Sequence, residues 1–335
     1  MRQRLRRLAP AAGLFLLAPL VGEFLLGNLP IDKLGVLPIF ALLYGAGALL
    51  IRETVRRTGR GWPAIVLLAA AYALLEEGPV DQLLWNPSYG GRQHTLAGDA
   101  YLPALGTNLS VVQAVLSLHT IWSISVPIAL VETFVPTRRT APWLGRIGLT
   151  VTGVLFALGV AAAYSESQRT GQFHATPGQY AGALVVIVAL VVLGFAVPYR
   201  PHPIDRTAPS PWLVGALTLI LTSLLLYLVM FWPGRLSQWV SVAAWCVVAA
   251  ALAILIGRWS RYRDWGAAHR LGLAAGALLT YTWIAFLHQP VGGLPDPRAQ
   301  LVDLAGNTVF ALLAVALIVL AARAVRRTAR TPARY

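Results

Sequence analysis

Long apolar stretches recur ten times along the chain, near 8–28, 34–51, 62–78, 109–131, 147–165, 180–198, 212–232, 238–257, 271–288 and 304–322. Each approaches the roughly 20 residues that a helix needs to cross a bilayer core. In hydrocarbon every backbone N–H and C=O must be paired within its own segment. The pattern therefore predicts an all-α polytopic bundle of about ten transmembrane helices. The connectors alternate in character. The N-terminus, the segments near 52–61, 132–146, 199–211 and 258–270, and the tail 323–335 hold 22 basic residues. The remaining connectors hold Lys33, Arg92, Arg169, Arg235 and Arg298, which completes the 27. Basic residues beside helix ends stay in the cytoplasm, so both termini are expected inside and residues 1–335 are expected to form one transmembrane domain.

Composition excludes the soluble alternative: 57% of residues are hydrophobic and 12% charged, with mean hydropathy +0.65. A formal net charge of +14 would suggest nucleic acid in a soluble chain. Here the arginines follow the topology and face anionic lipid, so the expected partner is the bilayer and not nucleic acid. Cys246, the single cysteine, lies inside the eighth stretch and is read as packing, with neither a disulfide nor a thiolate cluster to join. One lysine among 27 basic residues suggests a GC-rich coding bias, hence a bacterial inner (cell) membrane. The basic start and first apolar stretch mimic a secretory signal but lack a cleavage site before a soluble domain, so they are read as an uncleaved first helix. The connector 79–108 is far longer than a hairpin requires. Its aromatics and sparse charge predict an outer cap over the bundle.

Polar groups at membrane depth are costly and mark candidate sites. Glu23 lies within the first stretch, about a turn and a half from its outer end. Glu76 and Glu77 close the third, His288 the ninth, and Asp303 and Asn307 share a face at the outer start of the tenth. On the fourth stretch His119, Ser123 and Pro127 recur every four residues and so share one helix face. The topology puts all of these in the outer half. Glu132, at the inner end of the fourth stretch, is expected to form an interfacial ion pair with Arg138 and Arg139. His94, His174, His202 and His269 fall in loops and are given no role. Two adjacent carboxylates with His119 suit a proton relay or general acid–base work on a water, with Glu23, His288, Asp303 and Asn307 as binding groups. A zinc ion would require Glu77, His119 and His288 to converge from three helices, because no His-x-x-x-His spacing occurs.

The segments 19–30 (PLVGEFLLGNLP), 45–53 (GAGALLIRE), 59–63 (GRGWP), 75–87 and 118–132 (LHTIWSISVPIALVE) resemble an uncharacterised group of bacterial multi-pass membrane proteins, a likeness that implies only a polytopic membrane protein. The Glu76-Glu77 pair also resembles the first motif of the CPBP intramembrane proteases, the type II CAAX prenyl endopeptidases. That likeness implies paired glutamates and histidines activating a water at a site open to the cytosol. The family's motifs call for Arg at 81, Phe at 115 and Asn or Asp at 292, where this chain has Asp81, Val115 and Gly292. Three functions follow as expectations. Foremost is a transport or permeation protein carrying protons on Glu77 or Glu23. Next is an intramembrane hydrolase built on the glutamate pair. The third is an assembly protein binding a partner through 79–108.

Overall fold

The computed structural model describes residues 2–91, 94–196, 202–231 and 236–330. Arg92, Arg200, Arg235 and Arg334 of the charge pattern lie outside them. The described chain is a helical bundle: α1 (Arg2–Pro19), α2 (Leu37–Phe40), α3 (Ala46–Arg57), α4 (Trp62–Leu75), α5 (Leu109–Ser117), α6 (Val126–Phe134), α7 (Arg146–Gly171), α8 (Pro177–Ala196), α9 (Pro211–Met230), α10 (Gln238–Trp259), α11 (Ala267–Ile284) and α12 (Pro297–Arg330). Several run on into one another: Ile31–Arg57 and Leu109–Phe134 are each one membrane-length segment. Among the described residues nine segments are long and apolar enough to span a membrane.

The ninth apolar stretch of the sequence, α11, is helical yet not among the nine, and packing explains why. It is walled in by α9, α12 and α6, so its surface meets protein where lipid would demand hydrocarbon. Thr280 Oγ1 lies 2.7 Å from Thr222 Oγ1 on α9. A Cβ on Gly276 would come within 2.4 Å of the Gly215 carbonyl. Small residues that admit close backbone approach, with hydroxyls bonded across, are how helices associate where no hydrophobic drive exists between them. By contrast only 11% of the span of α7 and of α8 is buried, against 61% of the span Trp62–Val80 that α4 begins. The bland Leu/Val/Ala helices therefore form the lipid-facing wall, and the earlier helices with α11 form the centre.

The helix ends shift several expectations. The first helical segment stops at Phe24, so Glu23 is one residue from its end, not a turn and a half within. α11 stops at Ile284, leaving His288 in the following connector. α12 begins at Pro297, which sets Asp303 well inside the helix. Cys246 is exposed and accepts from Gln113 Nε2 at 3.4 Å, so it faces outward and does not pack in a core.

The connectors sort to two ends as the arginine pattern predicts. At one end Arg138 donates to the Arg7 carbonyl, Arg52 donates to the carbonyls of Arg139 and Ala141, and Arg263 pairs with Asp205 at 3.0 Å. His269 belongs to that end and has a structural part. It sits in the first turn of α11, where Nδ1 accepts from the Gly266 amide and Nε2 lies 2.9 Å from the Pro209 carbonyl.

At the other end the long connector is an ordered cap carrying a two-residue hairpin, β1 (Tyr101–Leu102) against β2 (Thr107–Asn108). It is tied down by its own polar groups. Gln82 Oε1 accepts from the Ala175 amide at 2.7 Å, Asn108 Nδ2 donates to Gln238 Oε1 at 2.8 Å, and Asp99 Oδ1 accepts from the Gln238 amide at 2.7 Å. Hydrogen bonds from Ser237 and Gln238 hold the Asp99 carboxyl below its usual range. A depressed carboxyl contributes stability above its unfolded pKa and loses it as pH falls through the folded value. Protection of the Gln238 amide against exchange, relative to the intrinsic rate at each pH, is therefore expected to hold down to about pH 4 and to fall below it. Asp99→Asn should remove that pH dependence.

Candidate functional site

Four helical turns are wider than α-helical: Leu20–Phe24, Ala41–Gly45, Glu76–Val80 and Leu118–Ser125. Such π turns leave backbone groups imperfectly paired and concentrate at functional positions. Here the first carries Glu23, the second Tyr44, the third Glu76 and Glu77, and the fourth His119 and Ser123. Each turn thus advances or retards its side chain relative to the α-helical phase and brings it to one place between two packed cores. One core includes Tyr44, Tyr72 and Ile124. The other includes Phe24, Trp122 and Tyr281, with the Trp122 and Tyr281 rings stacked 4.6 Å apart.

At the centre His119 stands between the two adjacent glutamates. Its Nε2 lies 2.6 Å from Glu77 Oε1, and its Nδ1 lies 3.1 Å from Glu76 Oε2 and 3.2 Å from Ser123 Oγ. The residues are 2% (Glu76), 5% (Glu77) and 6% (His119) exposed, so water is excluded and the groups must satisfy one another. The satisfaction is incomplete. Glu77 Oε2 and the Tyr72 hydroxyl are buried without a hydrogen-bond partner among the described residues, and the Glu76 Oε2 contact with His119 is not aligned as a hydrogen bond.

Tyr44 joins Glu23 to this trio: its hydroxyl donates to Glu23 Oε1 and its ring packs on the His119 ring with centroids 5.7 Å apart. From Glu23 the chain of contacts continues outward, since Asn28 Nδ2 donates to Glu23 Oε2 at 3.3 Å and His288 Nε2 lies 2.8 Å from Asn28 Oδ1. His288 lines a cavity of about 600 Å³ with Gly90, Phe231, Gln289 and Gly293. This cavity and a second one of about 250 Å³ at the opposite end are not lined by Glu23, Glu76, Glu77 or His119. The central trio is closed off from both.

Glu76, Glu77 and His119 thus come together directly, and Glu23 and His288 are attached through Tyr44 and Asn28. Asp303 and Asn307 stand apart. Asn307 Nδ2 donates to the Ala285 carbonyl at 3.0 Å and to Asp303 Oδ2 at 3.1 Å, fixing the end of α11. A zinc ion on Glu77, His119 and His288 does not fit. Both His119 nitrogens already face carboxylate or hydroxyl oxygens, and His288 is committed to Asn28. Among the described residues no three His, Cys, Asp or Glu side chains are disposed to hold a metal ion. Tyr44, Tyr72 and Asn28 were not among the expected site residues. Tyrosines inside apolar stretches read as packing, and the π turn that carries Tyr44 is invisible in the sequence.

Glu132 also departs from expectation. It is 4% exposed and gripped by α3, not by Arg138 or Arg139. Its Oε1 accepts from Arg52 Nε at 3.1 Å and Arg56 Nε at 2.9 Å, and its Oε2 accepts from Arg56 Nη2 at 2.7 Å. Arg52 also donates to Glu53 at 2.6 Å and lies over the Trp143 ring, 3.4 Å from its centroid.

Residues 14–335 match a family described as an uncharacterized membrane protein family. The chain belongs to that family. The match spans every residue of the site and both ends of the bundle. No curated protein and no solved structure matches the chain.

Proposed function

We propose that this protein is a proton-linked transport or permeation protein of the cell membrane, with both termini cytoplasmic and the Glu76–His119–Glu77 trio as its proton carrier. The observation that carries the reading is one imidazole held between two carboxylates at membrane depth. When both ring nitrogens are protonated, His119 donates toward both glutamates. When one nitrogen is bare, the proton resides on the facing carboxyl, and the same short contact serves in either state. A proton crosses the trio once the His119 Nδ1–Glu76 contact is aligned, and Glu77 Oε2, without a hydrogen-bond partner among the described residues, is where it enters or leaves. Buried ionisable groups that pair with one another inside a bundle are the usual makings of a proton relay. Glu23, Asn28 and His288 continue the line toward the 600 Å³ cavity. The arginine asymmetry supports the orientation, with that cavity outside.

The hydrolase reading draws on the same Glu–Glu–His contact. It requires a water and a scissile bond to reach the trio, which is walled off from both cavities, and it lacks His288, which is bonded elsewhere. The assembly reading leans on the 79–108 segment, whose polar groups are tied to the connector before α8 and to α10 of its own chain. Reconstitution into liposomes carrying a trapped pH-sensitive dye tests the proposal. Under an imposed potential the wild-type chain should admit protons, and Glu77→Gln should fall to the rate of empty liposomes. Glu76→Gln, Glu77→Gln and Glu23→Gln variants that all conduct like wild type would remove the trio from the pathway.

A further inference from the structure

Glu77 Oε2 is buried and without a hydrogen-bond partner among the described residues. The Glu23 line joins the trio elsewhere, where the Tyr44 ring packs on His119. A third carboxyl stands closer along the chain. Asp81 follows the glutamate pair by one wide turn: the Asp81 amide donates to the Glu76 carbonyl at 2.7 Å and the Leu84 amide to the Glu77 carbonyl at 3.1 Å. Its backbone is pinned in place. Ser167 Oγ on α7 donates to the Asp81 carbonyl at 2.7 Å. The next residue, Gln82, takes the left-handed conformation (φ 59°) and accepts from the Ala175 amide on its Oε1. Such a conformation in a non-glycine residue persists only where the surroundings over-determine it.

The acids at 76, 77 and 81 would repel one another if all were ionised, so the arrangement favours a proton on one of them. Asp81 is the most exposed of the three, half-buried where Glu76 and Glu77 are buried. Burial first, then the charges of Glu77 and Glu76, push its carboxyl well above the usual carboxylate range. A bond from Tyr89 and the charge of His119 act more weakly in the opposite sense. The Tyr89 hydroxyl donates to Asp81 Oδ2 at 3.0 Å, and the two residues after Tyr89, Gly90 and Gly91, line the 600 Å³ cavity. Tyr89 therefore spans from Asp81 to the cavity wall. α7 and α8 also pack on the Glu76–Val80 turn. The titratable groups at that end of them are Tyr164, Glu166, Arg169 and Tyr180. Glu166 and Arg169 form an exposed pair 3.6 Å apart, and the Tyr180 ring meets Trp85.

We infer that Asp81 exchanges protons with Glu77 on the side of the 600 Å³ cavity, with Tyr89 as the positioning residue that holds its carboxyl. The Asp81 O–H bond breaks as one forms at Glu77 Oε2, and the resulting Asp81 carboxylate takes a proton from water in the cavity. Transfer in the other direction reverses both steps. The inference rests on the proton-carrier reading and adds to it a branch that reaches the same cavity as His288 through separate residues.

Infrared titration of the purified full-length protein tests the coupling without transport, with Asp81→Asn assigning the Asp81 carboxyl band. Should that variant misfold, Asp81→Glu shifts the band and assigns it instead. The Asp81 midpoint should lie above the ordinary carboxylate range. Glu77→Gln removes a like charge and should lower the midpoint by about 1 pH unit or more. Tyr89→Phe removes a hydrogen bond that favours the carboxylate and should raise it. A merely structural contact would not move the midpoint in opposite directions. In liposomes Asp81→Asn should fall to the rate of empty ones, and Asp81→Glu, which restores a carboxyl, should recover part of the rate. An Asp81 midpoint unmoved by Glu77→Gln overturns the branch and leaves the trio as carrier. So does an Asp81→Asn protein that conducts like wild type while Glu77→Gln is silent. Trio variants that all conduct like wild type overturn the carrier reading, and the branch with it.

Discussion

Glu132→Ala will destabilise the bundle by about 3–5 kcal/mol, the characteristic cost of removing one partner from a buried ion pair. The loss arises from what is left behind. Arg52 has no solvent exposure and Arg56 is 8% exposed, and Glu132 is the acid they share. Arg52 keeps Glu53 and three carbonyls, so most of the penalty falls on Arg56. Two comparisons separate this from simple loss of packing. Glu132→Gln keeps a carbonyl acceptor of the same shape and should cost less than the alanine, though still more than a surface change. Removing Arg56 as well, in Glu132→Ala/Arg56→Met, takes away the stranded cation and should recover part of the loss. Unfolding of wild type, Glu132→Ala, Arg56→Met and the double variant in one detergent, followed by far-ultraviolet circular dichroism, gives the coupling energy directly. Strict additivity of the two single changes would mean that the ion pair contributes nothing of its own.

How far this was legible in the sequence depends on which physical constraint was at work. The spans were legible because hydrocarbon imposes length and apolarity on each helix separately. Sorting of connectors to two ends was legible because arginine placement records it. Helix ends were less so: α12 extends from Pro297 although residues 297–303 are polar enough to read as connector, and α11 ends before His288. Nothing in the apolar pattern specifies a terminus to within a turn.

Of the site, Glu23, Glu76, Glu77 and His119 were legible from cost alone, since an ionisable group at membrane depth needs a reason. What sequence could not supply is phase. A π turn inserts about one extra residue into a helical repeat, so face arguments based on four-residue spacing apply only up to it. His119 and Ser123 do meet, but Tyr44 enters the cluster from the wide turn Ala41–Gly45, and the two glutamates from the wide turn Glu76–Val80. Glu132 failed for another reason. Proximity in sequence favoured Arg138 and Arg139, whereas the partners that hold it come from α3, some 76 to 80 positions earlier.

Gly45→Ala will be the most damaging single-methyl insertion around the site, and it ties packing to function. A Cβ at Gly45 would lie 2.0 Å from the Phe15 carbonyl oxygen and 2.8 Å from its carbon. These are backbone atoms of α1, which cannot rotate aside, so the two helices must separate. Overpacking typically costs about 1–3 kcal/mol, and a backbone obstacle puts this case at the upper end. The adjacent residue is Tyr44, whose hydroxyl reaches Glu23 on that same α1 segment and whose ring covers His119. Pushing α1 away therefore breaks the Tyr44–Glu23 contact before it touches the trio. Gly22→Ala makes the informative contrast. Its nearest obstacles are Ser123 Oγ at 2.9 Å and the Tyr44 ring at 3.2 Å, side-chain atoms that can give way, so its cost should be smaller. Gly153→Ala on α7 meets nothing within 4 Å and should be neutral or mildly stabilising, because alanine is the better helix former. Unfolding midpoints should therefore rank Gly153→Ala above Gly22→Ala above Gly45→Ala. In the liposome assay, Gly45→Ala protein that remains folded should conduct less than wild type while Gly153→Ala matches it. A Gly45→Ala protein as stable as wild type would mean that α1 and the Ala41–Gly45 turn do not cross as closely as the fold requires. Unchanged conduction in the folded variant would instead remove the Tyr44–Glu23 contact from the proton path.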